Sequence, residues 1–246
     1  MRLFEIDDPT DLLTKYKDHV DFAIDKFNQG IAIYRGSKTY TQNVRYADPS
    51  SWPTARKSKD THNYYTLWMD NNPEWAEYPK RSRSLICSTY QETTEIFGKP
   101  MVVVPLTNCK IGICPNVDLW CSFKGVQSLK DFNYWLHDCF KEQWPNEDNR
   151  NINYQELLQK LKEITTNTAG YSYSNLRTVL QKQGNAEGVM REILDPVKNN
   201  FKLTTWQQFE ELQDTDREVW LSAPCLLINP LAFKILVKRN KSNEIV

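Results

Sequence analysis

The run Met101-Val102-Val103-Val104-Pro105-Leu106 constrains this chain more than any other segment. Three consecutive β-branched valines lose side-chain freedom in a helix and pack well on a pleated surface, and prolines at 100 and 105 bound the run. A stretch this short is a buried strand, and a buried strand demands a sheet around it. Other short β-prone runs are available to pair with it: 31–35, 84–89 and 218–228. Helical periodicity lies between them. Asp8 caps a helix whose first turn holds Pro9. Leu12, Leu13, Tyr16, Val20, Ala23 and Phe27 then recur on one face until Gly30 ends it. A short helix is expected over 91–97, ended by Gly98. A second good helix follows the Ser128 cap, with Leu129, Phe132, Leu136, Cys139 and Phe140 on one face. More helix is expected at 154–165 and 174–194. Strands and helices interleaved in this way indicate an α+β fold.

The chain is expected to form one domain over 1–246, with an aromatic-basic insertion at about 37–80 and a mainly helical segment at about 126–200. Lys and Arg number 31, as do Asp and Glu, so no overall basic field marks a nucleic-acid binder, although a local basic face stays open. A hydrophobic content of 40% supports a true core rather than a disordered chain. No run approaches the length of a membrane helix, and the acidic N-terminal residues lack the apolar centre of a signal peptide. A cytoplasmic protein with no membrane partner is the expectation, and six cysteines fit it as reduced thiols.

Three segments place chemistry at strand ends. Tyr34-Arg35-Gly36 closes one β-prone run, Ser88-Thr89-Tyr90 closes a second, and Asp216-Arg217-Glu218-Val219-Trp220-Leu221 opens a third. Taken in order, these motifs resemble the Arg-Ser-Glu class of mono-ADP-ribosyltransferases, whose first strand carries an arginine, whose second carries Ser-Thr-Ser, and whose third carries Glu/Gln-x-Glu. The matched segments cover a small part of the chain. Tyr90 stands where the third serine is usual, and Asp216 where a longer acid or amide is usual two positions before the catalytic glutamate.

The resemblance implies a split mixed or antiparallel sheet with surrounding helices, and NAD, as substrate, in a cleft between two small sheets. It implies catalytic roles for Glu218 and Asp216 and NAD-binding roles for Arg35, Gly36, Ser88, Thr89, Tyr90 and Phe97. Glu218 would face the oxocarbenium-like ribose, and Ser88 would hydrogen-bond Glu218 to hold its rotamer, with Thr89 as a strut. Arg35 offers the planar, multi-donor cation a pyrophosphate needs. Tyr90 and Phe97 would stack near nicotinamide. The loop 210–215 falls where the family keeps its target-recognition turn. ADP-ribose would pass to a macromolecular acceptor, RNA or protein, as a toxin or a phage or defence effector, and an antitoxin or inhibitor protein would be a further partner.

Each motif also has a plainer reading. Arg35 serves equally as a salt-bridge partner, Ser88-Thr89 as a strand edge, Asp216 and Glu218 as a solvated turn, and Tyr90 and Phe97 as core. In the insertion, Arg56, Tyr64, Tyr65, Arg81 and Arg83 combine phosphate-seeking cations with stacking rings, the composition of a single-stranded acceptor site. Interspersed acids such as Asp60, Asp70 and Glu74 weaken it, and a packed surface insertion fits as well. The rival functions are an NAD glycohydrolase using the same residues with water as acceptor, a non-enzymatic nucleic-acid-binding module, and a degenerate fold acting as a partner or inhibitor. Cys109, Cys114 and Cys121 with His137 or Cys139 lack a zinc-knuckle spacing, so no metal is expected.

Overall fold

The computed structural model describes residues 9–38, 42–53, 56, 64–126, 173–182, 186–210 and 215–243, with isolated positions at 135, 138, 139, 159 and 163. The helices expected after Ser128 and over 154–165, and most of the loop 210–215, lie outside the described residues.

Valine-rich 101–106 becomes the centre of a strand, β4 (Lys99–Pro105), inside one sheet. The other strands are β1 (Tyr34–Ser37), β2 (Val44–Ala47), β3 (Leu85–Ser88), β5 (Lys110–Ile113), β6 (Lys202–Thr205), β7 (Glu218–Leu221) and β8 (Cys225–Ile228). Their order is β2-β8-β4-β1-β3-β7-β5-β6, and every pair is antiparallel. Among the described residues seven α-helices accompany them: α1 (Pro9–Lys15), α2 (Lys17–Asn28), α3 (Tyr64–Asn71), α4 (Gln91–Thr94), α5 (Tyr173–Gln181), α6 (Ala186–Ile193) and α7 (Pro230–Asn243). The α+β class is therefore as the sequence indicates.

The sheet has a seam. Strands β1 and β3 share the single pair Tyr34↔Ser88, whereas β1 and β4 pair over four residues, as do β3 and β7. Two four-stranded halves thus meet along one narrow join. Chain segments cross between them. The predicted strand 218–228 is two strands, because Pro224 lacks an N–H and Ser222-Ala223-Pro224 carries the chain from β7 in one half to β8 in the other.

Two hydrophobic clusters follow from side-chain alternation. Val219 and Leu221 enter a core with Leu12, Val20, Ile24 and Phe233, beneath α1, α2 and α7. Trp220 points the other way, into a second core built from α3, α5 and α6. Glu218, two residues from Trp220, shares that second face.

The described parts of 37–80 contribute to both the sheet and the second core. Strand β2 pairs with β8 as an edge of the main sheet, and α3 supplies Tyr64, Tyr65, Leu67, Trp68 and Met69 to the second core. Polar spacing hides this, since Val44-Arg45-Tyr46-Ala47 buries only its first residue. The single helix expected from Pro9 to Gly30 breaks at Tyr16, whose ring stacks on Tyr46 of β2 at 6.3 Å. Helix α7 was not foreseen, although Asn229-Pro230 is a capping signal: Asn229 Oδ1 accepts from the Leu231 backbone N–H at 2.8 Å.

Candidate active site

Strands β1, β3 and β7 are neighbours, which brings three motifs far apart in sequence to one place. Ser88 sits opposite Tyr34 on one side and opposite Glu218 on the other. Arg35 follows Tyr34, and its Nη1 donates to the Ile86 carbonyl at 2.6 Å. Gly36 is required by close approach: a Cβ there would lie 2.3 Å from the Thr94 carbonyl oxygen and 2.8 Å from Phe97 Cβ. Its lack of a side chain seats α4 and the following 3₁₀ turn, Glu95–Phe97, over β1.

The floor of the site is Glu218. Its carboxylate is 9% exposed at the level of the whole residue, and Oε1 meets Arg81 Nη2 at 2.6 Å. The Cys114 thiol donates to the same oxygen at 3.7 Å, and the Leu119 backbone N–H approaches Oε2 at 3.5 Å. The Arg81 guanidinium also lies 5.6 Å from the Trp220 ring centre. Burial, the largest single influence, pushes Arg81 down, but the Glu218 charge and hydrogen bond together with Tyr65 and Cys114 outweigh it and hold the guanidinium above its ordinary range. Burial, with the same carboxylate close by, pushes the Cys114 thiol and the Asp118 carboxyl up.

The rim is Asp216. Ser88 Oγ donates to Asp216 Oδ1 at 2.6 Å, and Thr93 Oγ1 donates to Oδ2. Ser88 Oγ in turn accepts from the Tyr90 backbone N–H at 2.8 Å. Thr89 ties the approach to β7, since its N–H donates to the Arg217 carbonyl and its Oγ1 accepts from the Arg217 N–H, each at 3.0 Å. Ser88 therefore does not hold Glu218, as the resemblance implies; it holds Asp216. The reason is geometric. Glu218, although cross-strand from Ser88, is drawn inward by the buried guanidinium, and Asp216 fills the outer position.

The remaining candidates separate. Tyr90 and Phe97 are 51% and 55% exposed, so neither is core, and Ile96 between them in the chain is exposed as well. Tyr64 and Tyr65 are each 1% exposed and packed in the second core, where neither ring presents a face to an acceptor. Arg83 is partly buried and donates through Nη1 to the Trp52 carbonyl. Arg56 lies close enough to Arg81, Arg35 and Glu218 to feel their charges, and burial with the Arg81 charge pushes it down to about 10.

Sequence reasoning missed Thr93, Cys114, Asp118 and the Leu119 N–H as neighbours of the two carboxylates, since no local pattern joins 114–119 to 216–218. An apolar packing gap lined by Ala23, Phe27, Ile33, Val102 and Phe233 belongs to the first core and touches none of these residues. Among the described residues no group of three His, Cys, Asp or Glu side chains converges as a metal site, and no helix is long and apolar enough to cross a membrane. None of the six cysteines is in a disulfide.

Comparison with protein-family models, with curated proteins and with solved structures gave no match.

Proposed function

We propose that the chain is a mono-ADP-ribosyltransferase that cleaves NAD and passes ADP-ribose to a macromolecular acceptor. The observation that carries this reading is the adjacency of β1, β3 and β7, with Ser88 paired to Tyr34 on one side and to Glu218 on the other. An arginine, a hydroxyl pair and a glutamate spread over residues 35–218 are brought to three neighbouring strands of the sheet. A random scatter of such residues has no reason to do that.

In this reading the C1′–N bond of NAD breaks with its electron pair leaving on neutral nicotinamide. The acceptor nucleophile bonds to C1′ and loses its proton. Glu218 faces the positive charge that develops on the ribose, and a fixed carboxylate there stabilises the transition state more than the ground state. Its Oε1 is committed to Arg81, so Oε2 is the atom that meets a ribose hydroxyl. Asp216, fixed by Ser88 and Thr93 at the rim, is placed to receive the proton from the acceptor. Arg35 contributes one cation to the pyrophosphate site, and the exposed Tyr90 and Phe97 offer flat apolar faces for nicotinamide. The effector or toxin role belongs to the same reading and rests on the resemblance of the motifs.

The test is label transfer from radiolabelled NAD to a cell lysate, comparing wild type with Glu218→Gln and Asp216→Asn, all verified as folded. Label moved by wild type and lost in Glu218→Gln supports the transferase, and its sensitivity to nuclease or protease names the acceptor class. Loss of transfer with nicotinamide release retained in Asp216→Asn supports the acceptor-side role of Asp216. Nicotinamide release by wild type without label transfer makes water the acceptor and the chain a glycohydrolase. Folded wild type that releases no nicotinamide ends the enzyme reading.

A further inference from the structure

Arg81 has more hydrogen-bonding capacity than the site uses. It is 3% exposed, and Glu218 engages only its Nη2, at 2.6 Å. Its Nε and Nη1 are buried with no hydrogen-bond partner among the described residues. A guanidinium presents its N–H donors in a planar fork, and folded proteins rarely leave buried charged donors without acceptors. Positive charge also gathers around it: Arg56 lies near Arg81 and Arg35, and Glu218 and Asp118 both feel the Arg81 and Arg56 guanidiniums.

We propose that Arg81 and Arg56 form an oxyanion-binding site whose ligand is a diphosphate, and that Arg81 divides its guanidinium between that ligand and the Glu218 carboxylate. Burial selects the ligand class. A guanidinium this deep accepts a compact anion and not the backbone of a polynucleotide, so Arg81 is not the acceptor contact that its basic-aromatic neighbourhood implies. Arg56 is the less buried of the two and forms the outer edge. Its depression to about 10, caused by burial and by the Arg81 charge, is the pressure that a bound anion relieves. Such a ligand also couples binding to chemistry, because the group that grips the anion is the group that orients Glu218. Naming the ligand as the diphosphate of NAD rests on the transferase reading; the anion site itself does not.

The experiment is calorimetric titration of the full chain with inorganic pyrophosphate, with NAD, and with nicotinamide riboside, which has no phosphate. Pyrophosphate and NAD are expected to bind and nicotinamide riboside to bind far more weakly. Arg56→Gln is expected to weaken the first two by about 10- to 100-fold, the value of a charge-assisted hydrogen bond. Because Arg81→Gln alone strips Glu218 of its partner, the second arm is the double variant Arg81→Gln/Glu218→Gln, which removes both charges together and is expected to fold and to lose pyrophosphate binding.

Wild-type pyrophosphate affinity in folded Arg56→Gln and in the folded double variant overturns the site, whatever NAD turnover shows. Failure of folded wild type to bind either pyrophosphate or NAD overturns it too. Pyrophosphate binding that depends on Arg56 and Arg81, in a chain that never releases nicotinamide, upholds the site and removes the transferase. ADP-ribose transfer with a KM for NAD unmoved by Arg56→Gln upholds the transferase and removes the diphosphate assignment.

Discussion

Glu218 and Asp216 stand two residues apart, on β7 and its approach, yet occupy opposite worlds. The floor carboxylate is buried and held by a guanidinium, a thiol and a distant backbone N–H. The rim carboxylate is half-buried and held by the hydroxyls of Ser88 and Thr93. The contrast shows how one short segment supports two kinds of charge. In the floor, desolvation makes an ion pair obligatory; at the rim, water and neutral donors suffice. A group near a reacting centre needs the fixity of the first, and a group that exchanges a proton needs the access of the second.

The largest expected effect breaks the floor. Arg81→Met leaves Glu218 charged, buried and unpaired, and should cost about 3–5 kcal/mol in urea unfolding, with Arg81→Met/Glu218→Leu recovering most of it. A cost below that of an exposed pair would mean that the floor is wetter than its burial indicates. Next, Gly36→Ala drives a Cβ into the Thr94 carbonyl and should cost about 1–3 kcal/mol. Hydrogen exchange should then rise over 91–98, which carries the rim, and stay slow at 218–221 on the floor. Equal loosening of both would show that floor and rim are one unit. Ser88→Ala removes one of two hydroxyls from Asp216 and should cost about 1 kcal/mol, with Thr93→Ala similar.

The smallest effect is one of pH. Burial and the Glu218 charge raise the Asp118 carboxyl above its ordinary range, so the folded state holds that proton more tightly than the unfolded chain. The stability it contributes is complete below the ordinary carboxylate range and is lost as pH rises through the raised value. Asp118→Asn should flatten that part of the stability profile, read by thermal melts from acid to neutral pH. An unchanged slope would show that Asp118 is solvated.

The valines at 102–104, the hydroxyl strand at 85–88 and the apolar runs of β7 and β8 were legible because each buries consecutive or alternating side chains that need no partner to be recognised. Strands β2, β5 and β6 were not. Lys202-Leu203-Thr204-Thr205 exposes or half-exposes every residue, and Gly112 in β5 reads as a breaker. Its purpose is visible only from across the sheet, where a Cβ would lie 2.3 Å from the Trp220 indole.

By itself, the sequence determined the α+β class and the central buried strand, because propensity and alternation are local properties, and the resemblance of three short motifs pointed to Arg35, Ser88, Asp216 and Glu218 as candidates. Only the tertiary structure decided their partners. That Arg81 claims Glu218, that Ser88 serves Asp216, and that Tyr64 and Tyr65 are core rather than surface all depend on contacts between segments far apart in the chain. The depth of the burial around each charge sets those pairings, and depth is a property of the packed molecule, which no single segment encodes.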